Sequence, residues 1–128
     1  KIRLSVITKQ IPNSPIGVFD SGLGGLTVLK SLEKILPNES FIYLGDTAHV
    51  PYGTKSAEMV TLYSQHIMDF FLKYETKAVV IACNTASAVA FQHLKRNYDI
   101  PLFDVVSPSV EYSMKITKTQ NIRTRTEL

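Results

Sequence analysis

An uninterrupted apolar run at Ala78–Ala82 is the feature that most restricts how this chain can fold. The run reads AVVIA and is followed directly by Cys83. It lacks the alternation of a half-exposed strand and is too short for a buried helix, so it is typical of a strand that is covered on both faces. We therefore predict a central strand of a parallel sheet over Lys77–Cys83.

Short apolar segments alternate with amphipathic ones along most of the chain. The pattern predicts further strands at Pro15–Asp20, Ser40–Gly45 and Leu102–Val106. It predicts helices over Leu26–Leu36, from a Ser56 cap to about Tyr74, from an Asn84 cap to about Asn97, and from Pro108 to about Ile116. In the second helix the predicted apolar face consists of Met59, Tyr63, Ile67, Phe70 and Phe71. This alternation predicts an α/β fold, with a mostly parallel sheet and helices on both faces.

Composition and charge divide the chain into three parts. We expect an N-terminal extension at 1–14, one α/β domain at 15–117, and a polar tail at 118–128 that is disordered or aberrant. Both ends are basic whereas the body is mildly acidic, which is typical of solvated tails and argues against a nucleic-acid partner. No apolar run is long enough to span a membrane, and a single cysteine cannot form an internal disulfide. These features predict a cytoplasmic protein.

Three polar or glycine-rich loops follow the first three predicted strands. They contain Asp20–Gly25, Pro51–Gly53 and Cys83–Thr85. In open α/β sheets ligands bind outside the carboxyl ends of the strands, so we expect these loops to form one site.

The first of these loops has two interpretations. Its three glycines suit a tight turn, or they expose backbone N–H groups that bind an anion at the start of the next helix. The loop fails the dinucleotide fingerprint because Thr27 stands where the third glycine belongs. Asp46 lies about where an acid that binds ribose would be. A flavodoxin-like nucleotide-binding module therefore remains an alternative.

Cys83 also has two interpretations. A lone cysteine is usually a small buried apolar residue. At the start of a helix, however, a thiol is more readily ionised, and Asn84 and Thr85 offer hydrogen-bond donors to a ligand. Asp20, at a neighbouring strand end, is either an acceptor near the thiol or a helix cap.

Tyr52 is either a simple turn aromatic or a residue that lines the pocket, with the Gly53 N–H exposed to the ligand. The three histidines, His49, His66 and His93, lack metal-binding spacing. We predict no metal site.

Three segments together resemble the signature segments of glutamate racemase, within the aspartate/glutamate racemase group. They read FDSGLGGLTVL, YLGDTAHVPYGTKS and VVIACNTASAVA, and the resemblance runs from about Pro15 to Thr117. It implies a flavodoxin-like fold of the racemase type. It also implies a bacterial enzyme that interconverts L- and D-glutamate without a cofactor and supplies D-glutamate for peptidoglycan.

The resemblance also implies roles for particular residues. In such enzymes two cysteines face opposite sides of the substrate α-carbon, one removing a proton and the other delivering one. Cys83 matches one of these thiols, and Asp20 would assist it. The substrate would be held by Asp20, Ser21, Tyr52, Gly53, Asn84 and Thr85.

One departure from the family pattern is large. The family's second domain supplies the other thiol in a Cys-Thr-His motif, whereas this chain has one cysteine and no such motif. We therefore expect a chain truncated before the second domain, corresponding to the N-terminal half and inactive alone. A non-catalytic remnant and an aspartate racemase remain alternatives. We also expect self-association through apolar surface that the second domain would cover.

Overall fold

The computed structural model of the chain describes residues 13–105. Four strands form one parallel sheet, namely β1 (Ile16–Asp20), β2 (Phe41–Gly45), β3 (Ala78–Ile81) and β4 (Leu102–Asp104). Three α-helices alternate with them, namely α1 (Leu26–Ile35), α2 (Ala57–Lys73) and α3 (Asn84–Asn97). The strand order is β2-β1-β3-β4, with β1 and β3 at the centre. The predicted α/β fold class is confirmed.

The strand order reverses direction after β2, and this reversal places helices on both faces. Because parallel crossovers are right-handed, the step from β1 to β2 puts α1 on one face, and the later steps put α2 and α3 on the other. Side-chain alternation agrees. A Cβ on Gly17 would lie 2.8 Å from the ring of Phe71 in α2, whereas Ile16 lines a groove with Val28 of α1.

The core lies mainly between the sheet and the α2–α3 layer. The predicted apolar face of α2 is partly wrong, because Met59 is 38% exposed. The residues of α2 that are buried are Val60, Ser64, Ile67, Met68 and Phe71. The helix packs against α3 as well as the sheet, so its buried stripe is rotated from the one that spacing alone indicated.

The prediction that β3 is covered on both faces is only half right. Val79 and Ile81 are fully buried on the α2–α3 side. Ala78 and Val80 point to the α1 side and are only partly buried. Helix α1 itself has no fully buried residue. The α1 face of the described domain is therefore thinly covered.

Most predicted boundaries agree with the structure to within one or two residues. The Ser56 cap is confirmed, since its side chain accepts a hydrogen bond from the Met59 N–H at 3.2 Å. Several expectations lie outside the described residues, namely Val106, the helix from Pro108 to Ile116, almost all of the 1–14 extension and the 118–128 tail. Within residues 13–105 no helix has the length and apolar character needed to cross a bilayer.

Candidate active site at the carboxyl edge of the sheet

A cleft of about 550 Å³ opens where the neighbouring strands β1 and β3 end. It is lined by Asp20, Ser21, Gly24, Thr27, Val28, Ala82, Cys83, Asn84, Thr85 and Val105. Parallel pairing of β1 with β3 brings the first and third predicted loops to this edge. Five residues that sequence reasoning selected thus lie together, namely Asp20, Ser21, Cys83, Asn84 and Thr85.

Cys83 occupies the N-cap of α3 and is 5% exposed. Its Sγ accepts a hydrogen bond from the backbone N–H of Ala86 at 3.4 Å. The prediction that Asn84 caps this helix is therefore wrong, and Asn84 is instead the first helical residue. A helix N-terminus carries partial positive charge, and the sulfur of Cys83 lies against it.

Asp20 is 7% exposed, and its Oδ2 accepts a hydrogen bond from the Gly25 N–H at 2.8 Å. The next two N–H groups of the turn donate to loop carbonyls at 3.2 and 3.4 Å. The interpretation of the glycine loop as a free anion site is therefore wrong for these three groups. The protein's own carboxylate occupies the start of α1, which removes the physical basis for phosphate binding there.

Tyr43 supports the glycine loop from strand β2. Its hydroxyl donates to the carbonyl of Gly22 at 2.9 Å. Burial raises the pKa of Tyr43 above its ordinary value of 10.0, and the negative charge of Asp20 raises it further. Sequence reasoning missed this residue, because the contact joins positions 21 residues apart and no local pattern indicates it.

Asp46 organises the second loop. Its Oδ2 accepts hydrogen bonds from the Tyr52 hydroxyl at 2.6 Å and from His49 Nδ1 at 2.8 Å. Its backbone N–H donates to the carbonyl of Asp20 at 2.9 Å, which ties this loop to the end of β1. Sequence reasoning had considered Asp46 only as an acid that binds ribose.

Tyr52 lies inside the core rather than in the cleft. It is 1% exposed and packs in the same apolar cluster as Cys83. Burial raises its pKa strongly, and the hydrogen bond to Asp46 raises it further. Neither Tyr52 nor Gly53 lines the cleft, so their contact with a substrate stays a prediction.

Carboxylate, imidazole and thiol groups are not clustered as metal ligands in the part of the chain that the structure describes. No three His, Cys, Asp or Glu residues within 13–105 are close enough together to hold an ion.

The fold and cleft define a class of protein, namely a parallel α/β domain with a helix-capping thiol and a carboxylate in a cleft at the carboxyl edge of its sheet. No family model matches the chain. The chain is 48% identical to the glutamate racemase of Thermus thermophilus over 114 residues. This matched region covers 89% of the chain and 44% of the Thermus thermophilus protein.

Solved structures give the same result. The Thermus thermophilus glutamate racemase in complex with β-chloro-D-alanine matches with a TM-score of 0.80 and 50% identity, over 84% of this chain and 42% of that one. The Francisella tularensis glutamate racemase in complex with D-glutamate matches with a TM-score of 0.76 and 46% identity. That match covers 81% of this chain and 40% of the Francisella tularensis protein. The chain is homologous to glutamate racemases over most of its own length, and it spans about two-fifths of the relatives it matches.

Proposed function

We propose that this chain forms one face of the active site of a glutamate racemase, with Cys83 as an acid/base thiol. The observation that carries the proposal is that Cys83 caps α3 inside the cleft that also holds Asp20. Homology to glutamate racemases, one of which binds D-glutamate in its solved structure, supports the choice of substrate.

Asn84, Thr85 and Ser21 supply donors on the cleft wall, and these suit the α-carboxylate of an amino acid. Asp20 already accepts one N–H, but a carboxylate has further accepting capacity, which suits the substrate ammonium group. With the substrate held in this way, the α-hydrogen would face the sulfur of Cys83.

The proposed chemistry is a proton transfer at the α-carbon. The Cys83 thiolate takes the α-proton, so that the C–H bond breaks, an S–H bond forms and the electron pair stays on the substrate. Donors around the carboxylate stabilise that charge. Inversion requires a proton from the opposite face. Since the chain contains one cysteine, a second thiol has to come from outside these 128 residues.

The wider setting belongs to the same proposal. We propose that the reaction needs no cofactor, that it takes place in the cytoplasm of a bacterium, and that its D-glutamate serves peptidoglycan synthesis. The resemblance of the three signature segments supports these assignments.

The test is exchange of the glutamate α-proton with solvent deuterium, followed by NMR for each enantiomer. We expect this chain to exchange one enantiomer without racemising it, and Cys83→Ala to abolish the exchange. Thr61→Ala, which removes a hydroxyl on α2 whose partner is the Ala57 carbonyl, is the matched control and should exchange like the original chain. Equal exchange in Cys83→Ala would overturn the role of the thiol.

The same assay addresses the alternatives. Faster exchange of aspartate than of glutamate would favour an aspartate racemase. Exchange of neither amino acid by a folded chain would favour a non-catalytic remnant.

A further inference from the structure

Tyr43 of β2 lies on the same face of the sheet as Asp20. Tyr43 pairs in register with Val18 of β1, and Asp20 lies two residues beyond Val18 on the same strand. Paired residues of neighbouring strands point to the same face, as do residues two apart in one strand. Ile16, two residues before Val18, lines a groove against α1, so the ring of Tyr43 and the carboxylate of Asp20 both extend over the α1 face.

The glycine loop between β1 and α1 passes over the end of β2 at Gly45. This residue pairs with Asp20, and a Cβ on it would collide with the carbonyl oxygen of Gly22. The Tyr43 hydroxyl donates to that same carbonyl at 2.9 Å. The hydroxyl therefore fastens the loop to β2 at the point where the absence of a side chain on Gly45 lets the two backbones approach.

The other end of the loop meets the same hydroxyl. A Cβ on Gly25 would lie 3.1 Å from the Tyr43 hydroxyl. The same Cβ would lie 2.7 Å from the Cβ of Asp20 and 3.0 Å from that of Ala82, which follows β3. Gly25 is thus enclosed on three sides, and its N–H is the donor that the Asp20 carboxylate accepts at 2.8 Å.

The charges around the hydroxyl agree with this geometry. Burial raises the pKa of Tyr43 above 10.0, the negative charge of Asp20 raises it further, and the backbone N–H of Gly25 offsets part of the rise. The hydroxyl is therefore protonated at neutral pH and remains a donor to the loop.

We propose that Tyr43 is a positioning residue, which holds the glycine loop so that the carboxylate of Asp20 is oriented in the cleft to bind the ammonium group of an amino acid. Asp20 lines the cleft and Tyr43 does not, so Tyr43 acts through the loop. The inference rests on the proposed function for the identity of the ligand, but it does not depend on the role of Cys83 in proton transfer.

Two phenylalanine variants of the full chain test the proposal. Tyr43→Phe removes the hydroxyl and keeps the ring. Tyr98→Phe is the matched control, because it also removes a hydroxyl that donates a hydrogen bond, at 2.8 Å to Asp69, and Tyr98 does not line the cleft. A general loss of stability is therefore expected in both variants, whereas a change in the glycine loop is expected in one.

Hydrogen exchange of the Gly25 amide, followed by NMR, reports the hydrogen bond to Asp20 without any ligand. The amides of β3 serve as the reference for overall stability. Relative to them, we expect the Gly25 amide to exchange at least about tenfold faster in Tyr43→Phe and at an unchanged rate in Tyr98→Phe.

Titration with L- and D-glutamate, also followed by NMR, reports binding. We expect Tyr43→Phe to raise the dissociation constant about tenfold, as the weakening of a hydrogen bond to a charged group would do. Tyr98→Phe should bind glutamate like the original chain.

The outcomes separate this inference from the proposed function. Equal changes of the Gly25 amide in the two variants, or equal dissociation constants for Tyr43→Phe and the original chain, would overturn the positioning role. Glutamate binding that weakens only in Tyr43→Phe would support it even if the original chain exchanged no α-proton, a result that would count against the proposed function alone. An original chain that binds no glutamate would overturn both.

Discussion

The carboxylate of Asp20 accepts the backbone N–H of Gly25 at 2.8 Å, across the turn that joins β1 to α1. The residue at the strand end thus serves as the anion at the start of the following helix. This contact orients Asp20 at the wall of the cleft and keeps its loop close to the neighbouring strand. It depends on the missing side chain at Gly25, where a Cβ would lie 2.7 Å from the Asp20 Cβ.

Gly25→Ala is expected to displace Asp20 and to lower the free energy of unfolding by about 1–3 kcal/mol, because the added methyl group overpacks a buried turn. The same variant should lose α-proton exchange. Gly22→Ala is the matched control, since a Cβ there would lie 3.6 Å from the Val50 side chain, an ordinary contact, and Gly22 does not line the cleft. Urea unfolding and the exchange assay measure both effects, and equal losses in the two variants would contradict the role of the Asp20–Gly25 contact.

Substitutions of Cys83 separate helix capping from chemistry. Cys83→Ala removes the acceptor of the Ala86 N–H and should cost about 1 kcal/mol of stability, as N-cap loss typically does. Cys83→Ser keeps an acceptor and should retain most of that stability. Both variants should lose proton exchange, because a serine hydroxyl is a far weaker acid than a thiol. Exchange retained in the serine variant would contradict the assignment of Cys83 as the base.

Tyr52→Phe removes the 2.6 Å hydrogen bond to Asp46 inside the core. We expect the free energy of unfolding to fall by about 1–3 kcal/mol, since a partly buried carboxylate loses one of its donors. Tyr74→Phe, at a ring that is 54% exposed, is the control and should change stability by less than about 0.5 kcal/mol. Thermal or urea unfolding is the measurement, and a neutral Tyr52→Phe would show that His49 alone satisfies Asp46.

The contact of Tyr98, which follows α3, with Asp69 of α2 should make the free energy of unfolding depend on pH. Its hydroxyl donates to Asp69 at 2.8 Å, and burial followed by this contact raises its pKa from 10.0 to about 12. A raised pKa in the folded state means stability that is fully present below pH 10.0 and is lost as the pH rises towards 12.

Urea unfolding from pH 8 upward checks this dependence. Tyr98→Phe should be less stable than the original chain at neutral pH, and the difference should shrink between about pH 10 and 12. A difference that is constant with pH would contradict the contribution of the Tyr98–Asp69 contact.

Local sequence patterns predicted much of this architecture. The run at Ala78–Ala82 and the helical spacing after it placed β3 and α3, and strand–helix alternation predicted the parallel sheet. The same patterns predicted that five residues lie at one edge of the sheet, and the structure places them there, namely Asp20, Ser21, Cys83, Asn84 and Thr85. These features follow from contacts within a few residues and from the rule that parallel strands end together.

Other features depended on which distant groups meet. Three hydrogen bonds depend on particular atoms that packing brings together. They join the Gly25 N–H to Asp20, the Tyr43 hydroxyl to the Gly22 carbonyl, and the Tyr52 hydroxyl to Asp46. A pattern of residue types cannot assign these partners, because several donors and acceptors in the loops were equally available.

The sequence by itself determined the α/β class, the three loops at the carboxyl edge and the placement of the single thiol at a helix start. Only the tertiary structure decided that the glycine loop holds the protein's own carboxylate, that Cys83 rather than Asn84 caps α3, and that the α1 face carries an open apolar groove. The physical reason is that periodicity reports which residues prefer burial or a turn, whereas hydrogen-bond partners and exposed faces depend on how complete layers pack together.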